Sequence, residues 1–272
     1  MRSSNRRLYC LDFEGNLKWE RDFGDMKTRN SFGEGSSPAV HGNTLVINWD
    51  HEGDSFIVDL DKRSGKELWR KERDEPTSWS TPLIVSASGK TRSYDLSTGE
   101  VIWECSGLGA NVIPTPLFRD GVLYVASGHR RPAMQAILLD KAKGDITGSD
   151  AVLWSIDENT LYVASPLLYG DRLFLTKNRE AILSCYNPVT GEIVYGPERL
   201  AGLGSVYSSL VGVDNRIYIS DLEGATLVIE NSSKFEPLAT NVLDEGTAAS
   251  VLVAGDAIYL CGYQHLYCIA AN

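Results

Sequence analysis

No segment of this 272-residue chain approaches the ~18 consecutive apolar residues of a membrane span. The basic opening MRSSNRRLYC leads into no apolar core of a signal peptide, so the stretch carries no address of its own and localisation is not legible from it. There is no polybasic run, and 26 Lys plus Arg against 36 Asp plus Glu leave a formal charge of −10, which argues against nucleic acid and anionic membrane surfaces as partners. The five cysteines, Cys10, Cys105, Cys185, Cys261 and Cys268, include no adjacent pair and no Cys-x-x-Cys, so neither a disulfide framework nor a zinc site is indicated. They are expected as buried strand residues. Only four histidines occur, His41, His51, His129 and His265, and none falls into a Ser/His/Asp or Cys/His arrangement that spacing supports. A sustained 3.6-residue apolar period is also missing, so helices should be almost absent.

What the chain does contain is repetition. LDKRSGKELW (Leu60 to Trp69) returns as YDLSTGEVIW (Tyr94 to Trp103), with Asp61, Gly65 and Trp69 matched by Asp95, Gly99 and Trp103. Asn187, Gly191 and Tyr195 keep the spacing; LDFEGNLKW (Leu11 to Trp19) is one residue shorter, LDKAKGDITGSDAVLW (Leu139 to Trp154) carries an insertion, and IENSSKFEPL (Ile229 to Leu238) has lost both glycine and tryptophan. Apolar alternation on both sides of an Asp-x-x-Ser/Thr-Gly segment reads as a β-hairpin in which Gly takes a positive φ and Asp bonds the amides of the turn. The indole that follows offers a flat face to a neighbouring sheet and an N–H to a backbone acceptor.

A second unit precedes each hairpin: SSPAVHGNTLVI (Ser36 to Ile47), PTPLFRDGVLYV (Pro114 to Val125), SPLLYGDRLFL (Ser165 to Leu175), SSLVGVDNRIYI (Ser208 to Ile219) and SVLVAGDAIYL (Ser250 to Leu260). Strand, turn, strand again; the two units together make four antiparallel strands in the ~40 to 50 residues of a propeller blade. Pro38, Pro82, Pro116 and Pro166 are 44, 34 and 50 residues apart, so one blade, after Thr81-Pro82, is shortened by a strand or an inner hairpin. The reading is an all-β, single-domain β-propeller over 1–272, with repeats at about 36–78, 79–111, 112–162, 163–205 and 206–247. A terminal blade shared by 248–272 and 1–35 would bring the count to about six if the ring closes through both termini.

Three Gly-x-Gly segments, at Gly33, Gly107 and Gly202, lead into strands rather than helices and so read as turns between blades, not phosphate cradles. WDHEGDS gathers Trp49, Asp50, His51, Glu52 and Asp54, the densest polar cluster, suited to a metal, a ligand, a partner or a solvated turn; its spacing matches no calcium loop. SGHRRPA places His129, Arg130 and Arg131 on the corresponding hairpin of a later blade, able to hold a carboxylate or phosphate, or to pair with Glu52 or Asp54. RDEPTSWSTP adds Arg73 and Trp79 on a loop entering an innermost strand.

The Asp-x-x-Thr-Gly-x-x-x-Trp signature from Leu11 to Ala270 resembles the pyrroloquinoline-quinone (PQQ)-type, tryptophan-docked propeller repeat. Runs such as WDHEGDSFIVDLDKRSGKELWR and CYNPVTGEIVYGPERLAGLGSVYSS are similar to bacterial secreted BamB-like outer-membrane assembly proteins, of which this would be a fragment or trimmed member. The resemblance implies a periplasmic or extracytoplasmic protein. It does not imply the cofactor: the vicinal disulfide of quinoprotein dehydrogenases has no counterpart here, and no residue of their calcium set can be matched, so no PQQ, calcium or other metal is expected. The expected function is a non-catalytic scaffold that presents its loop face and central channel to a protein or polymer partner; the alternative is a quinone-dependent dehydrogenase-like or sugar-active propeller enzyme. Contacts are expected from Trp49, Asp50, His51, Glu52, Asp54, Arg73, Trp79, His129, Arg130 and Arg131.

Overall fold

A computed structural model describes residues 7–33, 35–82, 85–87, 90–109, 112–128 and 132–270. The chain forms two compact units, Met1–Gly107 with Ala142–Thr147, and Leu108–Lys141 with Gly148–Asn272. Among the described residues the only helices are single 3-10 turns at Arg29–Ser31, Leu139–Lys141 and Asn178–Glu180. Everything else regular is strand.

In the first unit, Ala39–His41, Thr44–Trp49, Ser55–Asp61 and Glu67–Arg73 pair antiparallel in chain order. The second unit repeats the pattern three times. Its sheets are Leu117–Arg119, Val122–Ser127, Ala133–Leu138 and Val152–Ile156; then Leu167–Tyr169, Arg172–Lys177, Ile182–Tyr186 and Ile193–Arg199; then Val211–Val213, Arg216–Ser220, Ala225–Glu230 and Pro237–Val242. Register is conserved between copies: Asp59 stands opposite Trp69, Ala136 opposite Trp154 and Cys185 opposite Tyr195, and the pairing shifts beside each of these residues. Such a bulge sharpens the local twist of the strand pair.

The shortened repeat is completed from elsewhere. Val85–Ala87, Lys90–Tyr94 and Val101–Ser106 supply three strands whose register, Ser93 opposite Trp103, marks Val101–Ser106 as the tryptophan-bearing last strand; the first strand is the one missing among the described residues. The fourth member of this sheet is Gly144–Asp145, drawn from the insertion in the next repeat and added in parallel outside Val101–Ser106. The first sheet, Arg7–Leu11 with Leu17–Asp22, holds a third and a fourth strand, Cys10 standing opposite Trp19. The last, Leu252–Ala254, Ala257–Cys261 and Leu266–Ala270, holds a first, second and third.

In the four sheets that pair in chain order the middle strands are largely buried on both faces, which is why they read as nearly continuous apolar runs. Leu173, Phe174 and Leu175 expose no surface; Phe174 packs with Leu183, Cys185, Ile217 and Ile219, while Leu173 and Leu175 pack with Tyr124, Ala126 and Met134. Each such side chain contributes roughly 1.5–3 kcal/mol by leaving water. In the first unit Leu45, Ile47, Trp49, Phe56, Val58 and Leu60 form the equivalent core, covered by Leu8, Trp19, Phe23 and Met26.

The hairpin motif works as its residues require. Asp61 Oδ1 accepts the N–H of Arg63 and Ser64, Asp95 Oδ1 those of Ser97 and Thr98, and Asn187 Oδ1 those of Val189 and Thr190. Gly65, Gly99 and Gly191 take φ of 66°, 71° and 72°. Onto each lies the aromatic of the preceding repeat: Trp19 covers Gly65 and donates Nε1–H to Lys62 O at 3.1 Å, Trp69 covers Gly99 and donates to Leu96 O at 2.9 Å, and Trp154 covers Gly191 and donates to Pro188 O at 3.0 Å. In the copy that has lost its glycine, Tyr195 meets Phe235 instead, ring centroids 6.4 Å apart.

A second seam runs through the Ser/Thr residues that open each repeat. Ser37 N–H donates to Thr81 Oγ1; in the second unit Thr115 N–H donates to Ser165 Oγ, Ser165 N–H to Ser209 Oγ and Ser209 N–H to Ser250 Oγ, at 2.9–3.3 Å. Each hydroxyl therefore satisfies a backbone donor one repeat away. The cysteines depart from expectation in part: all five are free and lie in strands, but only Cys105 and Cys185 are buried, whereas Cys261 and Cys268 are exposed on the last sheet, whose outer faces are largely uncovered.

Candidate binding surface

Trp49 ends the strand Thr44–Trp49 and is buried, its ring 5.3 Å from Phe23 and 6.0 Å from Phe56. The next residue, Asp50, receives Nε–H of Arg73 at 2.8 Å and Nη2–H at 3.2 Å, and neither side chain exposes any surface. Arg73 also donates to Tyr94 Oη. Burial pushes the Asp50 carboxyl up against the pull of Arg73, while desolvation of Arg73 is outweighed by Asp50, which holds the guanidinium charged. His51 is buried as well. Its Nδ1 accepts Lys27 N–H at 3.2 Å and its Nε2 faces Asp54 O at 3.2 Å, the arrangement of a neutral ring protonated on Nε2.

Glu52 and Asp54 lie outside this buried set. Glu52 Oε1 accepts Thr77 N–H at 3.2 Å and Thr77 Oγ1–H at 2.8 Å, with Arg29 Nε at 3.3 Å. Desolvation raises its pKa, and the Thr77 bonds with Arg29 more than cancel that, leaving it lowered. Thr77 belongs to the loop between Arg73 and Thr81, where half-buried Trp79 donates Nε1–H to Gly33 O at 2.8 Å and lies 6.4 Å from Phe32. Glu52 thus fastens the WDHEGDS turn to the loop that carries Trp79. A cleft of about 290 Å³ opens beside it, lined by Phe23, Asp25, Trp49, Asp54, Phe56 and Arg70 among others.

Beneath the loop is a network that sequence reasoning missed. Arg92 bonds Asp74 and Glu75 through Nη1, each at 2.9 Å, and Glu104 through Nε at 3.1 Å. Its burial would lower its pKa, but these carboxylates raise it. Glu75 is buried, with Oε2 free of any hydrogen bond among the described residues; burial pushes its carboxyl up to about 7 despite Arg73 and Arg92. The only signal was the run Arg73-Asp74-Glu75, whose burial a linear sequence does not show.

Of the expected contact residues, then, Trp49, Asp50, His51 and Arg73 are brought together and spent inside the protein, while Glu52, Asp54 and Trp79 reach the surface beside them. His129, Arg130 and Arg131 lie outside the described residues. Gly33, Gly107 and Gly202 all take positive φ, and among the described residues no helix begins after them to form an anion site. Among the described residues no three His, Cys, Asp or Glu side chains converge as metal ligands would.

Repeated four-stranded antiparallel sheets, latched by an aromatic of one repeat lying on the turn of the next, define a β-propeller repeat protein. The chain belongs to the family of outer membrane protein assembly factor BamB, whose family model matches residues 53–272. The solved structure of BamB from Moraxella catarrhalis shares the fold at a TM-score of 0.72 and 14% identity, over 97% of this chain and 78% of that one. A chain of the mitotic checkpoint complex aligns at a TM-score of 0.58 and 14% identity, covering 85% of this chain and 72% of its own. In sequence, outer membrane protein assembly factor BamB of Francisella salina is 28% identical over 95 residues, 34% of this chain and 18% of the Francisella protein's length.

Proposed function

We propose that the chain is a non-catalytic, protein-binding scaffold of the BamB type, acting outside the cytoplasm in assembly at the bacterial outer membrane. The observation that carries this reading is the rigid seating of its exposed loops: Glu52 locks to Thr77 above the buried Asp50–Arg73 pair, so the turn 52–54 and the loop 74–82 form one pre-shaped surface. A surface held in its bound conformation loses little entropy on association. Glu52, Asp54 and Trp79 are its accessible anchors; Arg130 and Arg131, outside the described residues, are a separate cationic contact taken from the sequence alone. The acidic turn fits a basic patch on a partner, and the arginine pair fits a carboxylate.

The test is capture of partners from a bacterial envelope extract by the intact chain. Asp54→Arg with Arg130→Glu and Arg131→Glu should lose the captured protein while the far-ultraviolet spectrum stays that of the parent. Unchanged capture removes these residues from the surface. In the same reading PQQ with calcium produces no saturable change in absorbance or melting temperature; saturable binding would favour a quinone-dependent enzyme instead.

A further inference from the structure

The chain shows, within itself, how one of its sheet edges takes an extra strand. Gly144–Asp145 adds in parallel to Val101–Ser106, Gly144 opposite Trp103 and Asp145 opposite Glu104. Ile146 N–H donates to Glu104 O at 2.9 Å, Ser106 N–H to Thr147 Oγ1 at 3.0 Å, and Thr147 Oγ1–H to Asp145 Oδ1 at 2.6 Å. Gly144 has φ +68°, a conformation that side chains disfavour, and Ile146 is 2% exposed. The adding segment is therefore glycine, acid, aliphatic, hydroxyl. With it in place Trp103 is 3% exposed, whereas the equivalent Trp69 stays only half-buried.

Glu67–Arg73 is the matching strand of the neighbouring sheet, with Leu68-Trp69 where the other has Ile102-Trp103. It ends its sheet, no strand lying beyond it among the described residues, and Leu68 is 50% exposed. One difference favours an incoming acid here. The residue opposite Asp145 is Glu104 in the occupied edge, a like charge; its counterpart is Arg70, whose guanidinium is partly exposed, held by Glu67 at 2.7 Å and resting 4.1 Å over the Phe56 ring.

We propose that Glu67–Arg73 is a strand-addition site for an extended segment of a partner protein with the pattern Gly-acid-aliphatic-Ser/Thr. It docks in parallel, glycine opposite Trp69, acid opposite Arg70, the aliphatic side chain following on the same edge. The chain's own 144–147 is already committed to its own sheet, so the segment comes from another protein. This rests on the scaffold reading and names the chemistry of one partner contact.

The probe is the peptide Ala-Lys-Gly-Asp-Ile-Thr-Gly, titrated into the isotope-labelled full chain and followed by amide shifts and hydrogen exchange. Saturable protection of the amides of 67–73 is expected, weakened about tenfold by Arg70→Glu and by Leu68→Lys, and absent for a peptide with Lys in place of Asp. Both substitutions are on the surface, and an unchanged melting temperature verifies the fold. No saturable binding, shifts confined to 101–106 through exchange with the chain's own strand, or affinity indifferent to both substitutions would each overturn the proposal. Capture of an envelope partner through 52–54 and 130–131 is unaffected by Leu68→Lys, so the two readings fail separately.

Discussion

Arg73 reaches back to Asp50 with two N–H donors, at 2.8 and 3.2 Å, across a pair that exposes no side-chain surface. Each ion has given up its hydration, and its partner is what offsets that loss. Removing one member is therefore worse than removing both: Arg73→Leu, which leaves a buried carboxylate, should cost about 3–5 kcal/mol. Asp50→Leu with Arg73→Leu should recover most of that stability. Urea unfolding of the two variants decides it; a double variant as weak as the single one means that packing, not charge, holds the site.

Glu75 makes stability depend on pH near neutrality. Its carboxyl is pushed up to about 7 by burial, from an ordinary 4.5, so between these values the folded protein holds a proton that the unfolded chain has lost. Stability then falls as pH rises from about 4.5 to 7 and levels off above, by roughly 1–3 kcal/mol from this group. Glu75→Gln, neutral throughout, should be less affected: its stability relative to the parent climbs over that window. A constant difference from pH 4.5 to 8 would show that Glu75 ionises normally.

Two glycine substitutions separate docking from backbone strain. Gly121→Ala meets a positive φ of 80° with nothing near the new methyl group, and should cost about 1 kcal/mol. Gly99→Ala faces a similar φ of 71°, but its Cβ would fall 2.6 Å from the Trp69 ring, so the indole must lift from the turn. It should cost about 1–3 kcal/mol more, with a change in tryptophan fluorescence that Gly121→Ala lacks. Equal costs and equal spectra would mean that Trp69 has room to give.

The repeat was legible because its parts are local: an Asx turn, a positive-φ glycine and an aromatic at fixed spacing each declare a hairpin within ten residues. The short repeat and the insertion at 140–150 were visible too, as separate irregularities. That one completes the sheet of the other was not, because parallel addition joins Trp103 to Gly144, 41 residues on, without a turn to announce it. The same limit hid the burial of Trp49, Asp50 and His51. Asp50 and Arg73 are 23 residues apart, and nothing in either neighbourhood says that the fourth strand of the sheet, Glu67–Arg73, returns one to the other. The hydroxyl seam from Thr115 to Ser250 escaped notice for a different reason: Ser and Thr at strand entries are common enough to carry no signal until their partners are seen.

Cysteine reactivity offers the simplest check on which sheets are covered. Cys105 and Cys185 lie in covered strands, and burial pushes their thiols up to about 11 and about 12, so at pH 8 the thiolate that attacks an alkylating reagent is scarce and shielded. Cys261 and Cys268 are exposed on the last sheet, and Cys10 is half-buried on the first. Iodoacetamide on the native chain should therefore label Cys261 and Cys268 first and Cys10 more slowly. Cys105 and Cys185 should react only after denaturant opens their sheets, as peptide mass spectrometry would resolve. Early labelling of Cys185 would place the core of the second unit elsewhere; protection of Cys261 and Cys268 would mean that the last sheet is covered in solution, by another chain or by a further strand.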